Sequence, residues 1–272
     1  MKKVYYIAFL LVLFGCNKDD FTISNLNDDS IVVLGHGGMG FNSLYPINSS
    51  ESILKSLNSG ADGTEIDIQL TKDNVLVAFH DEDLYDHTQL EGSIRAHTWE
   101  ELEEAYYMST PFLDYGLLRV EDLFDHLEDY HQYIFTFDIK LYREEIDTDY
   151  YANFVSALEA LFQKFQLHKN VFIESQSEEF IALLQAEDNL IDQYIYAHTF
   201  EEGFAIAQNL GMKGLSISNW DIDKAQVELA HDNGLFVTIW DVRTSSDHME
   251  AVLKNPDMIQ TDNIDDLIDL LD

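Results

Sequence analysis

A single cysteine, Cys16, leaves this chain unable to close a disulfide within itself. Basic residues are scarce: 15 lysines and arginines stand against 51 aspartates and glutamates, a formal net charge of −36. So negative a surface repels nucleic acid and anionic lipid headgroups, and it obliges any anionic substrate to find its positive charge locally. No internal repeat or low-complexity tract interrupts the chain. Long apolar runs are missing too, apart from Val4 to Phe14, which is too short to cross a bilayer comfortably. What remains is a 272-residue chain with 46% hydrophobic residues, enough to bury the core of one large domain.

The apolar run follows Lys2 and Lys3 and stops at Cys16, so residues 1–15 read as a secretory signal. The "LFGC" ending resembles the lipobox of bacterial lipoproteins, whose cysteine becomes the lipidated first residue. That resemblance implies a lipoprotein of the cell envelope, periplasmic or at the cell surface, held to a membrane through lipidated Cys16 only. Cleavage would remove two lysines and leave 13 − 51 = −38. Residues 16–30, polar and aperiodic, are expected to form a tether, with the folded domain spanning 31–272.

Within that domain short apolar runs alternate with helix-like stretches, the pattern of a parallel sheet and an α/β fold. Strands are expected at Ile31–Leu34, Gly63–Ile68, Val75–Phe79, Tyr133–Ile139, Asn170–Ile173, Gln193–Ala197, Gly214–Ile217, Leu235–Ile239 and Met258–Ile259. Helices are expected near 50–58, 121–130, 149–166, 177–186, 200–210, 222–233, 246–254 and 264–271. Nine candidate strands are one too many for a TIM (β/α)8 barrel. The link from Gln69 to Asn74 is too short for a helical crossover, so the second and third strands need not both be staves. Residues 83–118 lack a clean period and read as a small insertion on the rim.

Polar residues cluster just past the strands: His36, Glu65 with Asp67, His80, Asp138 with Lys140, Glu174, His198, Trp240 with Asp241 and Arg243, and Asp262. In a barrel of this kind they converge on one mouth, where active sites lie. Glu65 and Asp67 share a strand face, and two neighbouring carboxylates call for a positive charge between them. With Asp138 they supply the hard oxygens that Ca2+ or Mg2+ takes. An exposed edge strand with solvated acids is the plainer alternative for the pair alone. Lys140 suits a phosphate or a leaving oxygen as well as it suits solvent. His36 and His80, each ordinary by itself, together could divide acid and base work.

These segments resemble the glycerophosphodiester phosphodiesterase family. Its histidine-arginine-glycine element corresponds to "GHGG" at 35–38, its "PENT" to "PINS" at 46–49, and its acidic block to "GADGTEIDIQLTKDN" at 60–74. "VAFHD" at 77–81, "DIK" at 138–140, "WDVR" at 240–243 and "TD" at 261–262 follow in order. The resemblance implies a TIM barrel that hydrolyses glycerophosphodiesters to glycerol phosphate and an alcohol with one divalent cation. It implies Glu65, Asp67 and Asp138 as metal ligands, His36 and His80 as acid and base, and Lys140 on the phosphate. Trp240 is expected to form an apolar shelf under the substrate.

Four positions depart from the family pattern. Gly37 stands where an arginine would follow the first histidine, Ile47 replaces the acid of "PENT", and Asp138 is shorter than the usual glutamate. Arg243 occupies an asparagine position at the same mouth, and is expected to restore the phosphate contact. The rival readings are a phospholipase acting on an intact lipid headgroup and a non-catalytic binding protein on the same fold. His87 and His97 are expected to be solvated, and "EEAYYMSTPF" to form a satellite core.

Overall fold

The computed structural model describes residues 21–108, 114–142 and 147–272. The signal segment, Cys16 and the first part of the tether lie outside the described residues. Among the described residues no helix is long and apolar enough to cross a membrane.

Eight parallel strands close a TIM barrel. They are β1 (Val32–Gly35), β2 (Gly63–Leu70), β7 (Ile134–Ile139), β8 (Val171–Ser175), β9 (Gln193–Ala197), β10 (Gly214–Ser218), β11 (Phe236–Val242) and β12 (Met258–Thr261). Closure comes from β1, which pairs with β12 on one side and β2 on the other. The remaining strands, β3 (Leu76–Ala78), β4 (Tyr106–Tyr107), β5 (Tyr115–Gly116) and β6 (Leu118–Arg119), lie outside the ring. The candidate strand at 75–79 is therefore not a stave. As β3 it runs antiparallel to the far end of β2, because the five residues 71–75 can turn a hairpin but cannot carry a helical crossover.

Helices α1 (Ser50–Asn58), α2 (Trp99–Leu102), α3 (Val120–His126), α4 (Thr148–Phe165), α5 (Glu178–Glu187), α6 (Phe200–Leu210), α7 (Lys224–Asp232), α8 (Ser245–Leu253) and α9 (Ile264–Leu271) match the expected positions, except that α2 was not foreseen and α3 stops short of residue 130. Two large apolar clusters fill the layer between strands and helices. The rim insertion has its own core, in which Val77, Phe79, Leu84, Ile94, Leu102, Tyr107 and Tyr115 pack together.

Alternation along each strand stacks the barrel interior in layers. At the strand starts Val32, Leu34, Tyr194 and Met258, with Ile134, Phe172 and Phe236, form an apolar floor. Gly214 makes room for it, since a Cβ there would stand 2.7 Å from the Tyr194 ring. Two residues further on the inward positions turn polar, with Glu65, Thr136, Glu174, Ser216, Thr238 and Gln260, all buried. A third layer, Asp67, Asp138, Ser218, Trp240 and Asp262, opens at the C-terminal mouth.

The expected tether ends earlier than residue 30. Leu26 donates its amide to Asp257 at 2.8 Å, the Asn25 side chain donates to the Pro256 carbonyl at 2.8 Å, and Phe21 and Ile23 pack on the helix-side core. Polar side chains hold this stretch by hydrogen bonds, which leave no apolar period for sequence reading to find.

Candidate active site

His36 ends β1, and Asp262 ends β12 beside it. Their pairing follows from the register, which sets Gly35 opposite Thr261. His36 Nδ1 meets Asp262 Oδ1 at 2.8 Å. A carboxylate only accepts, so Nδ1 carries the proton and Nε2 is left for other work. The other Asp262 oxygen lies 3.4 Å from Arg243 Nε, and Arg243 also reaches Asp241 at 2.8 Å. Arg243 is more than half exposed at the mouth.

The three carboxylates come from two neighbouring strands. β2 and β7 pair with Asp67 opposite Asp138, and Glu65 sits one inward step below Asp67. All three are buried, and one oxygen of each lies within 4.8 Å of the others. The plainer alternative of solvated edge acids is thereby excluded. Lys140 Nζ bridges Asp67 at 2.9 Å and Asp138 at 2.6 Å, so its ammonium stands among the carboxylates rather than waiting free for a phosphate. Parity explains this: Lys140 is two residues past Asp138 and shares its face.

One cation does not neutralise the cluster. Burial and the Asp67 and Asp138 charges push Glu65 well above the usual carboxylate range. Burial also raises Asp138, against the pull of Lys140. Burial works against ionised Asp67 as well, but Lys140, His80 and the Asn48 amide outweigh it and hold that carboxyl at about 2. The Gly37 amide donates to Glu65 Oε2 at 2.8 Å, while Glu65 Oε1 is buried with no partner. An orphaned carboxylate oxygen facing two other acids fits a divalent cation, which would cancel the −2 that the three carboxylates, once all ionised, carry with one ammonium.

His80 follows β3, the strand that folds back along β2. Its Nδ1 meets Asp81 at 3.0 Å, and the second Asp81 oxygen meets His87 Nε2 at 2.6 Å. His87 is thus tied to the site rather than merely solvated, while His97 is fixed locally, its Nδ1 on the Ser93 carbonyl at 2.9 Å. Burial alone would lower the His80 pKa; the Asp81 hydrogen bond and the Asp67 charge outweigh it and hold the imidazole above its ordinary value. The Tyr142 hydroxyl donates to the His80 carbonyl. Phe41 presents its ring between the two imidazoles, with centroids 5.1 Å from His36 and 5.4 Å from His80, both edge to face.

Trp240 stacks on Tyr196 at 5.1 Å, and its indole Nε1 is buried without a partner. His198 is exposed, and its ring meets Tyr196 edge to face. Beneath the carboxylates, burial and the Asp138 charge push Glu174 up to about 8, so it is protonated at neutral pH; Gln260 donates to it at 2.9 Å.

Sequence reading gave no role to three residues of this constellation. Asn48, fully buried, bonds both the side chain and the amide of Asp67. Asp262 orients His36, and Tyr196 carries Trp240. Asn48 and Asp262 lie inside the motifs "PINS" and "TD", and Asp262 also stands among the polar residues that follow the strands. The absent arginine also has a structural counterpart. Gly37 has φ +55°, and a Cβ there would lie 2.7 Å from Ile47 Cβ, so Gly37 and Ile47 depart together.

The sequence profile of the Glycerophosphoryl diester phosphodiesterase family matches residues 39–266. A glycerophosphodiester phosphodiesterase of Bacillus altitudinis is 37% identical over 89 residues, 33% of this chain and 36% of that protein, so the match spans about a third of the curated relative. Among solved structures, a Silicibacter pomeroyi protein assigned to the glycerophosphoryl diester phosphodiesterases superposes with a TM-score of 0.79 at 19% identity, covering 89% of this chain and 92% of that one. An Oleispira antarctica phosphodiesterase in complex with the product sn-glycerol-3-phosphate gives 0.77 at 17% identity, covering 88% and 96%.

Proposed function

The chain belongs to the glycerophosphoryl diester phosphodiesterase family, and from that premise we propose that it is a phosphoric diester hydrolase that cuts glycerophosphodiesters into glycerol phosphate and an alcohol. One observation carries the reading: a buried carboxylate triad with an orphaned oxygen opens between two histidines, each held by its own aspartate. A protein that only binds has no use for two such oriented imidazoles.

Glu65, Asp67 and Asp138 would hold one divalent cation, Ca2+ or Mg2+. When bound, that ion supplies Lewis acidity and a template for the phosphoryl oxygens. The protein's own groups do the rest. His36, through Nε2, takes the proton from the attacking oxygen, which forms the new bond to phosphorus. His80, held above its ordinary pKa beside Asp81, gives its proton to the leaving oxygen as that bond breaks. Lys140, paired with Asp67 and Asp138, offsets the acids and would add a positive charge beside a phosphoryl oxygen. Arg243 supplies from the β11 wall the guanidinium that Gly37 cannot, and Trp240 on Tyr196 forms the apolar shelf.

Turnover of glycerophosphocholine that disappears with a chelator, returns with Ca2+ or Mg2+, and is absent in a His80→Ala variant is the expected result. Turnover indifferent to both would end this reading. We place the protein at the cell envelope through lipidated Cys16; fatty-acid labelling of the full chain should be lost in Cys16→Ser.

A further inference from the structure

Asp81 stands between two imidazoles. His80 Nδ1 meets one of its oxygens at 3.0 Å, and His87 Nε2 meets the other at 2.6 Å. Carboxylate oxygens only accept, so a contact that close needs the His87 proton on Nε2. The three groups do not form a metal cage; among the described residues only Glu65, Asp67 and Asp138 converge tightly enough for that.

The two aspartates that hold His36 and His80 are secured differently. Burial fixes Asp262, whose side chain is 2% exposed, whereas that of Asp81 is 35% exposed. A carboxylate open to water can turn about both of its side-chain torsions and leave the imidazole it orients. A contact on its second oxygen removes that freedom, and His87 supplies the contact.

His87 is itself well anchored. It follows the short 3-10 turn Leu84–Asp86, where its amide donates to the Leu84 carbonyl at 3.2 Å, and its carbonyl accepts from the Met108 amide at 2.8 Å. Its ring meets Phe79 edge to face, with centroids 6.4 Å apart, and Phe79 is buried directly before His80. The rim insertion therefore grips the end of β3 through one carboxylate.

We propose that His87 is a positioning residue for proton transfer to the leaving oxygen: it holds the second oxygen of Asp81, and Asp81 so held keeps His80 Nδ1 on the carboxylate and Nε2 turned to the leaving group. His87 acts through Asp81 and does not touch the reacting atoms. The role in turnover rests on the phosphodiesterase reading.

The test uses the full chain with Mg2+ or Ca2+ and two substrates, glycerophosphocholine and a diester with p-nitrophenol as its leaving alcohol. His87→Ala should lower kcat on glycerophosphocholine by about 10- to 100-fold with little change in KM, and far less on the p-nitrophenol diester. His87→Gln, which keeps an N–H donor at similar reach, should recover most of the loss. Added to His80→Ala, His87→Ala should cost nothing further, because the group it positions is gone. A loss equal on both substrates, a loss that appears in KM, or one that adds to that of His80→Ala would overturn the assignment. If wild type turns over neither substrate, the hydrolase reading fails instead, and nitrogen-15 NMR of the imidazoles then decides the positioning alone. Neutral His80, identified by the signal lost in His80→Ala, should carry its proton on Nδ1 in wild type and His87→Gln and divide it between both nitrogens in His87→Ala. The same tautomer in all three would refute it.

Discussion

Asn48 and Asp67 exchange two hydrogen bonds: the asparagine Nδ2 donates to Asp67 Oδ2 at 2.6 Å, and the Asp67 amide donates to Asn48 Oδ1 at 3.0 Å. Asn48 is fully buried and held at φ +64°, a region asparagine tolerates better than most residues. A loop residue thus fixes the rotamer of a proposed metal ligand 19 positions away. Asn48→Ala should weaken Mg2+ or Ca2+ binding by about 10- to 100-fold, measured by calorimetry. It should also lower stability by about 1–3 kcal/mol, because the Asp67 amide is left buried and unpaired. Unchanged metal affinity would reduce Asn48 to a packing role.

The two histidines should respond differently to the leaving group. A diester with p-nitrophenol as its leaving alcohol needs little help from an acid, so His80→Ala should lose far less activity on it than on glycerophosphocholine. His36→Ala should lose similar factors on both. The reverse pattern would exchange the two roles.

Arg243 reaches Asp262 and hence the His36 wall, but more than half of its side chain meets solvent. Arg243→Ala should raise KM for a glycerophosphodiester on the order of 10- to 100-fold, the loss of a charged hydrogen bond, with a smaller change in kcat. An unchanged KM would remove Arg243 from the phosphate. Gly37→Arg should not rescue the variant, because φ +55° and the Ile47 side chain leave a Cβ no room.

Glu174 predicts a pH dependence of stability. Its folded pKa, about 8, lies above the ordinary 4.5, so the folded state binds the extra proton. That contribution is complete below about 4.5 and is lost as pH rises through 8. Melting temperatures at pH 5 and pH 8.5 should therefore differ less in Glu174→Gln than in wild type. An equal drop in both would place the pH sensitivity elsewhere.

Much of the fold was legible because a parallel barrel writes itself in apolar runs separated by amphipathic helices. β7, "IFTFDI", and β10, "GLSIS", stand out as buried strands followed by helices. The third strand was ambiguous, since a short apolar run reads the same whether it is a stave or a hairpin arm. Only the length of the link from Gln69 to Asn74 argued for the hairpin.

The sequence alone determined which residue types stand at the strand ends and, through period two, that Glu65 with Asp67 and Asp138 with Lys140 share faces. Those are local facts, fixed by backbone geometry. Tertiary structure decided the partners. Lys140 lies between two carboxylates, Asp262 holds His36 from 226 residues away, and Asp81 binds His87 as well as His80. Distance along the chain carries no information about such pairs, because strand register and barrel closure bring them together.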